Sequence, residues 1–241
     1  MPEKYLYLII DFLSIIFPFL FSFHPRNNFY KKWMSIWPAV LIPAGIFIIW
    51  DAGFTQLGVW GFNPRYLTGI YFINLPIEEV LFFICIPYAC AFTYESVNII
   101  SAKERISENA QLWISDILSA CLILAGIINY SKWYTSVTFI ATAIFIILLH
   151  RVWKVNFMGR FYFAFLFILI PFFIVNGILT GTGIDQPVVW YNDSENLGIR
   201  MGTIPFEDTF YGMLLIAMNI ALLEYFENKN ATLKELSVAP K

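Results

Sequence analysis

Two pairs of adjacent carboxylic acids stand at the mouths of apolar segments. Glu78 and Glu79 lie in NLPIEEVLFF (74–83), and Glu207 and Asp208 lie in TIPFEDTFYG (203–212). Neighbouring carboxyls with little water around them cannot easily both ionise, so at least one of each pair is expected to keep its proton. A protonated carboxylic acid in a dry, aromatic-lined site is a general acid. A structural reading competes. Pro76 and Pro205 suit a helix start, an acid in the first turn caps free amides, and negative charge there suits the macrodipole. Three features favour chemistry. The acids are doubled, they run straight into hydrocarbon, and the pair recurs at one fixed offset, the step from Glu78 to Glu207. An ionised carboxylate near a bilayer centre costs about 2.5–3.5 kcal/mol on insertion scales, and less near the interface.

Other polar groups are placed less tellingly. Asp11 and Asp116 fall inside apolar segments and can bond across helices. Glu95 and Glu224 read as interfacial or paired with nearby cations, and His24 and His150 as interfacial. Arg65 and Arg200 lie on loops leading into the acidic motifs, where they are either solvated or folded over the site to balance its charge; the second is the expectation. Trp50, Trp60, Phe62, Tyr66, Tyr71, Phe72, Phe82, Phe83, Trp190, Tyr191, Phe210 and Tyr211 crowd the same region. Most suit an interfacial belt, while some ring faces can stabilise a carbocation.

The elements that must position these groups are helices in a membrane. Of 241 residues, 59% are hydrophobic and only 13% charged, about half the charge of a soluble domain. Continuous apolar runs near 4–23, 33–50, 74–96, 111–130, 133–150, 161–180 and 203–226 are each long enough to cross about 30 Å of hydrocarbon. They predict seven transmembrane helices, an all-α membrane protein with no barrel strands. The first run lacks a small-residue cleavage pattern and is expected to be retained. Lys and Arg gather in the first, third and fifth loops and in the tail (Arg26, Lys31, Lys32; Lys103, Arg105; Arg151, Lys154, Arg160; Lys229, Lys234, Lys241). The positive-inside rule then puts the N-terminus outside and the C-terminus in the cytoplasm.

The acidic motif belongs to a longer repeat. At the same offset Asn63 matches Asn192, Pro76 matches Pro205, Phe82 matches Tyr211 and Glu95 matches Glu224. Spans 1–3 (residues 1–100) and spans 5–7 (131–228) therefore read as two copies of a three-helix unit, with a linker and span 4 at 101–130 and a tail at 229–241. The odd linker helix restores the orientation, so the copies are parallel repeats about an axis along the membrane normal. Both acid pairs then lie at one depth, near the outer ends of spans 3 and 7, able to line one cavity.

The net charge is −2 and no basic stripe suits nucleic acid. Cys85, Cys90 and Cys121 show no metal-ligand spacing and read as packing residues. GTGIDQ (181–186) lacks the glycine pattern of a dinucleotide loop. No Walker loop, HExxH or diphosphate-binding acid cluster occurs, and span 7 has no lysine for a retinal Schiff base.

The stretch WDAGFTQLGVWGFNPRYLTGIYFINLPIEEVLFF (50–83) resembles the lycopene cyclase domain of the small integral-membrane type, through Trp50, Asp51, Gly58, Trp60, Gly69, Pro76, Glu78, Glu79, Phe82 and Phe83. The tandem copy resembles the fused form of that family. The second copy has Glu207–Asp208 in place of two glutamates and Thr180–Gly181 near the place of the Trp–Asp pair. The resemblance implies a redox-neutral isomerisation without a cofactor or metal: cyclisation of the linear ends of lycopene to β-ionone rings in carotenoid biosynthesis. It implies Glu78 or Glu79 as acid, Glu207 and Asp208 as partner and proton acceptor, and Asp51 to orient or recharge the acid. Trp50, Trp60, Asn63, Phe82, Phe83, Tyr211, Arg65 and Arg200 are the expected substrate contacts. The partners implied are lycopene or a related linear carotenoid, the bilayer of the cell membrane and other enzymes of the pathway. The alternatives are a related end-group cyclase or hydratase acting on a longer carotenoid, and a small proton-coupled carrier.

Overall fold

The structure, a computed structural model, describes residues 3–101 and 106–238, with only the backbone over 234–238. Lys103, Arg105, Lys241 and the side chain of Lys234, whose charges enter the orientation argument, lie outside the described residues. Seven helices dominate: α1 Leu6–Phe21, α2 Trp33–Gln56, α3 Ile77–Ile100, α4 Glu108–Ile128, α5 Trp133–Ile147, α6 Met158–Leu179 and α7 Phe206–Val238. A π turn, Leu148–Val152, prolongs α5. Seven helical segments are long and apolar enough to cross a membrane. Their outer surfaces carry exposed Leu, Ile and Phe, including Leu13, Phe17, Leu41, Ile49 and Ile170, as lipid-facing helices do. Prolines 18, 38, 43, 87 and 171 lie inside helices, where neighbouring helices and hydroxyl side chains offset the lost backbone bonds.

The observed ends lie within a few residues of the apolar runs, with two differences. Helix α2 continues to Gln56, which puts Asp51 inside the helix rather than at its end. Helix α7 runs on to Val238, past its apolar run. α3 and α7 sit at the centre. α1 packs on α3 and α5 on α7, while α2 lies along α7 and α6 along α3. α4 covers α5 at the periphery.

Short antiparallel strand pairs at one end have no counterpart in the sequence reading: β1 (Trp60–Phe62) with β4 (Val189–Tyr191), β2 (Tyr71–Phe72) with β3 (Leu75–Pro76), and β5 (Arg200–Met201) with β6 (Ile204–Pro205). β1 pairs with β4 so that Trp60 faces Tyr191, Gly61 faces Trp190 and Phe62 faces Val189. The flanking bonds are reciprocal: Asn63 N–H donates to Val188 O at 2.8 Å and Asn192 N–H to Val59 O at 2.9 Å. Trp190 lies flat on Gly61, and its indole occupies the place a Cβ would need.

The two hairpins β2–β3 and β5–β6 deliver the chain into α3 and α7. Each ends in proline, and Pro76, at φ −63° and ψ 148°, keeps the backbone extended up to the first helical residue. Ile77 N–H then donates to Ile70 O at 2.9 Å, and Phe206 N–H to Ile199 O at 3.0 Å. The turns need a left-handed residue, which is Gly202 (φ 66°) in one and Ile73 (φ 59°) in the other. At the far end Lys32 pairs with Glu95 at 2.8 Å and Arg160 with Glu224 at 3.1 Å. Arg151 pairs with Asp116, and His150, buried at the same end, has its Nε2 3.3 Å from an Asp116 oxygen.

Candidate active site

A cavity of about 510 Å³, within the range of small-molecule sites, lies between α1, α3, α6 and α7 with its inner end toward the strand pairs. On α3 its wall runs from Glu79 to Thr93, about 20 Å at 1.5 Å per residue. Ile10, Phe82, Ile86, Ile168, Val175 and Leu215 make that wall almost wholly hydrocarbon. Leu13 and Phe17 of α1 and Ile174 of α6, all about 60% exposed on the outside of the bundle, form a rim between those two helices. The cavity thus opens sideways, toward where lipid would lie.

The acids divide into two kinds. Glu79 and Asp208 line the cavity, while Glu78 and Glu207 do not. Successive residues on a helix point about 100° apart, so within each pair the first acid turns toward the loop and the second toward the chamber. Glu78 Oε1 accepts from Thr68 N–H at 2.7 Å, and Glu207 Oε1 accepts from Leu197 N–H at 2.7 Å and from the Thr135 hydroxyl at 2.6 Å. These two side chains make no cap bond at their own helix start; they pin the preceding loop instead. The other oxygen of each, Oε2, is buried without a hydrogen-bond partner among the described residues.

The chamber acids are held by phenols. Tyr7 O–H of α1 donates to Glu79 Oε2 at 2.6 Å. Tyr134 O–H of α5 donates to Asp208 Oδ1, and Tyr191 O–H donates to Oδ2 at 2.9 Å. Burial and the neighbouring Asp208 carboxyl push the Tyr191 phenol well above its ordinary range, so it remains a donor. Asp208 thus has a donor on each oxygen. Glu79 has one, and among the described residues no donor reaches its Oε1. Phe62, which lies at the acids' offset from Tyr191, also lines the cavity but has no hydroxyl to donate.

Asp51 also lines the cavity. Its Oδ1 accepts from the Trp60 indole N–H, and its Oδ2 is buried without a donor. Tyr211 stands among the three acids in the wall, with its hydroxyl unpaired. Its ring meets Phe47, Trp50 and Trp60 at centroid distances of 4.9, 5.3 and 5.9 Å. Trp60 stands edge-on to Tyr134 at 5.0 Å, and Tyr134 stacks on Tyr191 at 5.8 Å. Three carboxyls thus border an apolar space lined with aromatic side chains.

Of the expected substrate contacts, Trp60, Phe82 and Tyr211 reach the wall. Trp50 and Phe83 do not, because they pack behind it against Phe47. Asn63 accepts from Arg65 N–H and donates to Gln186 in the loop. Arg65 is taken up by Glu3 and Asp185, and Arg200 by Asp193 and the Thr203 carbonyl. Arg65 is held by those loop acids, while the Arg200 guanidinium lies 5.5 Å over the ring of Tyr191, which lines the chamber, as expected of a cation folded over the site. The Arg200 hydrogen bond holds Asp193 below the usual carboxylate range. Tyr7 and Tyr134 are absent from the residues that sequence reasoning singles out. Their signal is a recurrence at an offset slightly shorter than the one that relates the acids. The described residues contain no cluster of metal-ligating side chains.

The lycopene cyclase family matches residues 4–97 and 131–226 of the chain. The chain belongs to the lycopene cyclase family. The match falls in two tandem segments, the first carrying Tyr7, Asp51 and Glu79 and the second Tyr134, Tyr191 and Asp208. No curated protein and no solved structure matches the chain. Membership implies a carotenoid cyclase acting on a linear carotenoid, which the sideways opening and hydrocarbon walls suit.

Proposed function

We propose that the chain closes β-ionone rings on the linear ends of lycopene, with Glu79 as proton donor and Asp208 as the carboxylate that faces the cation. The observation that carries this reading is the unequal bonding of two acids in one apolar chamber. An ionised carboxylate accepts hydrogen bonds and donates none, so two phenol donors suit Asp208 in that form. Glu79, with one oxygen bare toward the cavity, can present O–H to a hydrocarbon.

In this mechanism Glu79 adds a proton to C2 of the terminal C1=C2 bond and leaves a tertiary cation at C1. The C5=C6 bond attacks it, forming the C1–C6 bond and moving the cation to C5. Loss of the C6 proton to a carboxylate gives the β-ring. No electrons enter or leave, and the proton count is unchanged. The faces of Tyr211, Trp60 and Tyr191 offset the moving charge. The greasy walls keep out the water that would turn the cation into an alcohol. The carboxylate that takes the C6 proton is Asp208, and Asp51, with a free oxygen in the same wall, relays the proton from Asp208 back to Glu79, so that each group ends as it began. This reading also places two parallel three-helix units, 1–100 and 131–228, about an axis passing between Gly61 and Trp190. Support comes from the reciprocal β1–β4 register and from loop and acid contacts that recur in the second copy at the offset of the acids. The acid-bearing end is then outside and the α7 tail cytoplasmic, in the cell membrane. The carrier alternative draws no support from a wall this poor in polar groups.

The test is expression in a bacterium that accumulates lycopene, with the pigments separated by chromatography. Conversion to ring-bearing carotenes is expected. Unchanged lycopene beside well-expressed, membrane-inserted protein would reject the reading.

A further inference from the structure

Lycopene has two identical ends, and the two tandem segments raise the question whether there are two places to receive them. The chamber is lined chiefly by α1, α3, α6 and α7. Exchanging the two tandem segments carries these helices to α5, α7, α2 and α3. A second chamber would therefore lie between α5, α7, α2 and α3. That space is filled. Phe47 is fully buried there, packed with Ala44, Leu214 and Leu215, and its ring stands 5.5 Å from Trp50 and 6.0 Å from Phe83. The residue that matches Trp50 on α6 is Leu179, and smaller side chains there leave the first space open. The acids are as one-sided. Asp51 is matched by Thr180, and both line the same chamber.

We infer that the chain has a single reaction chamber, so that each ring is closed in a separate binding event and the monocyclic carotene leaves into the bilayer between them. The inference rests on the proposed cyclase reading and deepens it. The acids stand at the closed, strand-bearing end of a cavity about 20 Å long, whose rim lies between α1 and α6. An extended polyene enters end first, and its far end projects through that rim. The far end has no second acid to meet. To present it to Glu79 the molecule must withdraw, turn in the lipid and re-enter. The monocyclic carotene is therefore a free intermediate, open to any other enzyme in the same membrane that modifies linear end groups.

The experiment uses the full chain in lipid vesicles loaded with isotopically labelled lycopene. Early in the reaction, unlabelled monocyclic carotene is added in large excess. Labelled bicyclic carotene is expected to fall to the fraction set by the dilution, with the label remaining in the monocyclic pool. A chain that forms no bicyclic carotene, labelled or unlabelled, would overturn the stepwise closure of both rings while leaving the cyclase reading intact. Labelled bicyclic carotene formed undiminished would overturn the inference while leaving the cyclase reading intact. Absence of any ring-bearing product would remove that reading and the inference with it. Binding stoichiometry gives an independent check: one lycopene per chain is expected of the catalytically silent Glu79→Gln variant, and two per chain would contradict a single chamber.

Discussion

Phe62 and Tyr191 occupy matching places on paired strands β1 and β4, and they differ by the one hydroxyl that separates the surroundings of Glu79 from those of Asp208. Substituting Phe62→Tyr offers Glu79 a second donor and ties up the oxygen proposed to carry the reactive proton. Cyclisation is expected to slow about tenfold, the effect of a hydrogen bond of roughly 1–1.5 kcal/mol. Initial rates of ring formation in vesicles check this; a rate equal to wild type would detach the bare oxygen from the chemistry.

Tyr191→Phe makes the complementary change, leaving Asp208 with Tyr134 alone. A carboxylate facing a cation with one donor fewer is less well held, and the expected loss in rate is again about tenfold. Thermal stability in detergent should move little, since the ring remains stacked on Tyr134 at 5.8 Å. A large drop in melting temperature with an unchanged specific rate would make Tyr191 a packing residue.

Ile73 is a β-branched residue held at φ 59°, where its counterpart is Gly202 at φ 66°. A left-handed β-branched residue costs about 1–3 kcal/mol. Ile73 is also 72% exposed, so little packing is lost with it. Ile73→Gly is expected to stabilise the protein by about 1 kcal/mol, net of the greater freedom of glycine when unfolded. A melting curve of the purified protein reads this directly. Destabilisation would show that Ile73 makes a contact that outweighs its backbone strain.

Gly61 sits under the Trp190 indole on the opposite strand, with no room for a Cβ. Gly61→Ala must push the indole or the strand aside, for an expected loss of about 1–3 kcal/mol. The double substitution Gly61→Ala with Trp190→Ala should restore part of that loss, because the obstructing ring is gone. Equal melting temperatures for Gly61→Ala and wild type would show that the β1–β4 pairing yields easily.

Much of the site is legible in the sequence because the acids announce themselves. Two carboxylic pairs entering hydrocarbon at one fixed offset are more than helix capping asks for, and the apolar runs locate seven helices to within a few residues. The division of labour inside each pair is not legible. Glu78 and Glu79 are adjacent and chemically alike, and only the direction each takes from the first turn of α3 separates a loop clamp from a chamber acid. Tyr7 and Tyr134 are hidden for another reason. A tyrosine near a span end looks like any belt aromatic, and the shorter offset between α1 and α5 breaks the alignment that reveals the acids. The strand pairs, two or three residues each, are too short to show an alternating pattern. The loop positions of Arg65 and Arg200 point toward the site, but the sequence does not show that Glu3 and Asp185 take up Arg65 while Arg200, paired with Asp193, lies over the Tyr191 ring.

The central claim is that Glu79, and not its neighbour Glu78, delivers the proton. The most direct measurement compares Glu79→Gln with Glu78→Gln in cells accumulating lycopene, with both proteins quantified in the membrane. Glu79→Gln should leave lycopene unconverted, a loss of about 10²-fold or more for a removed general acid. Glu78→Gln should still yield ring-bearing carotenes, because its amide oxygen can accept from Thr68 N–H as the carboxylate does. Ring formation at the wild-type rate by Glu79→Gln would contradict the account.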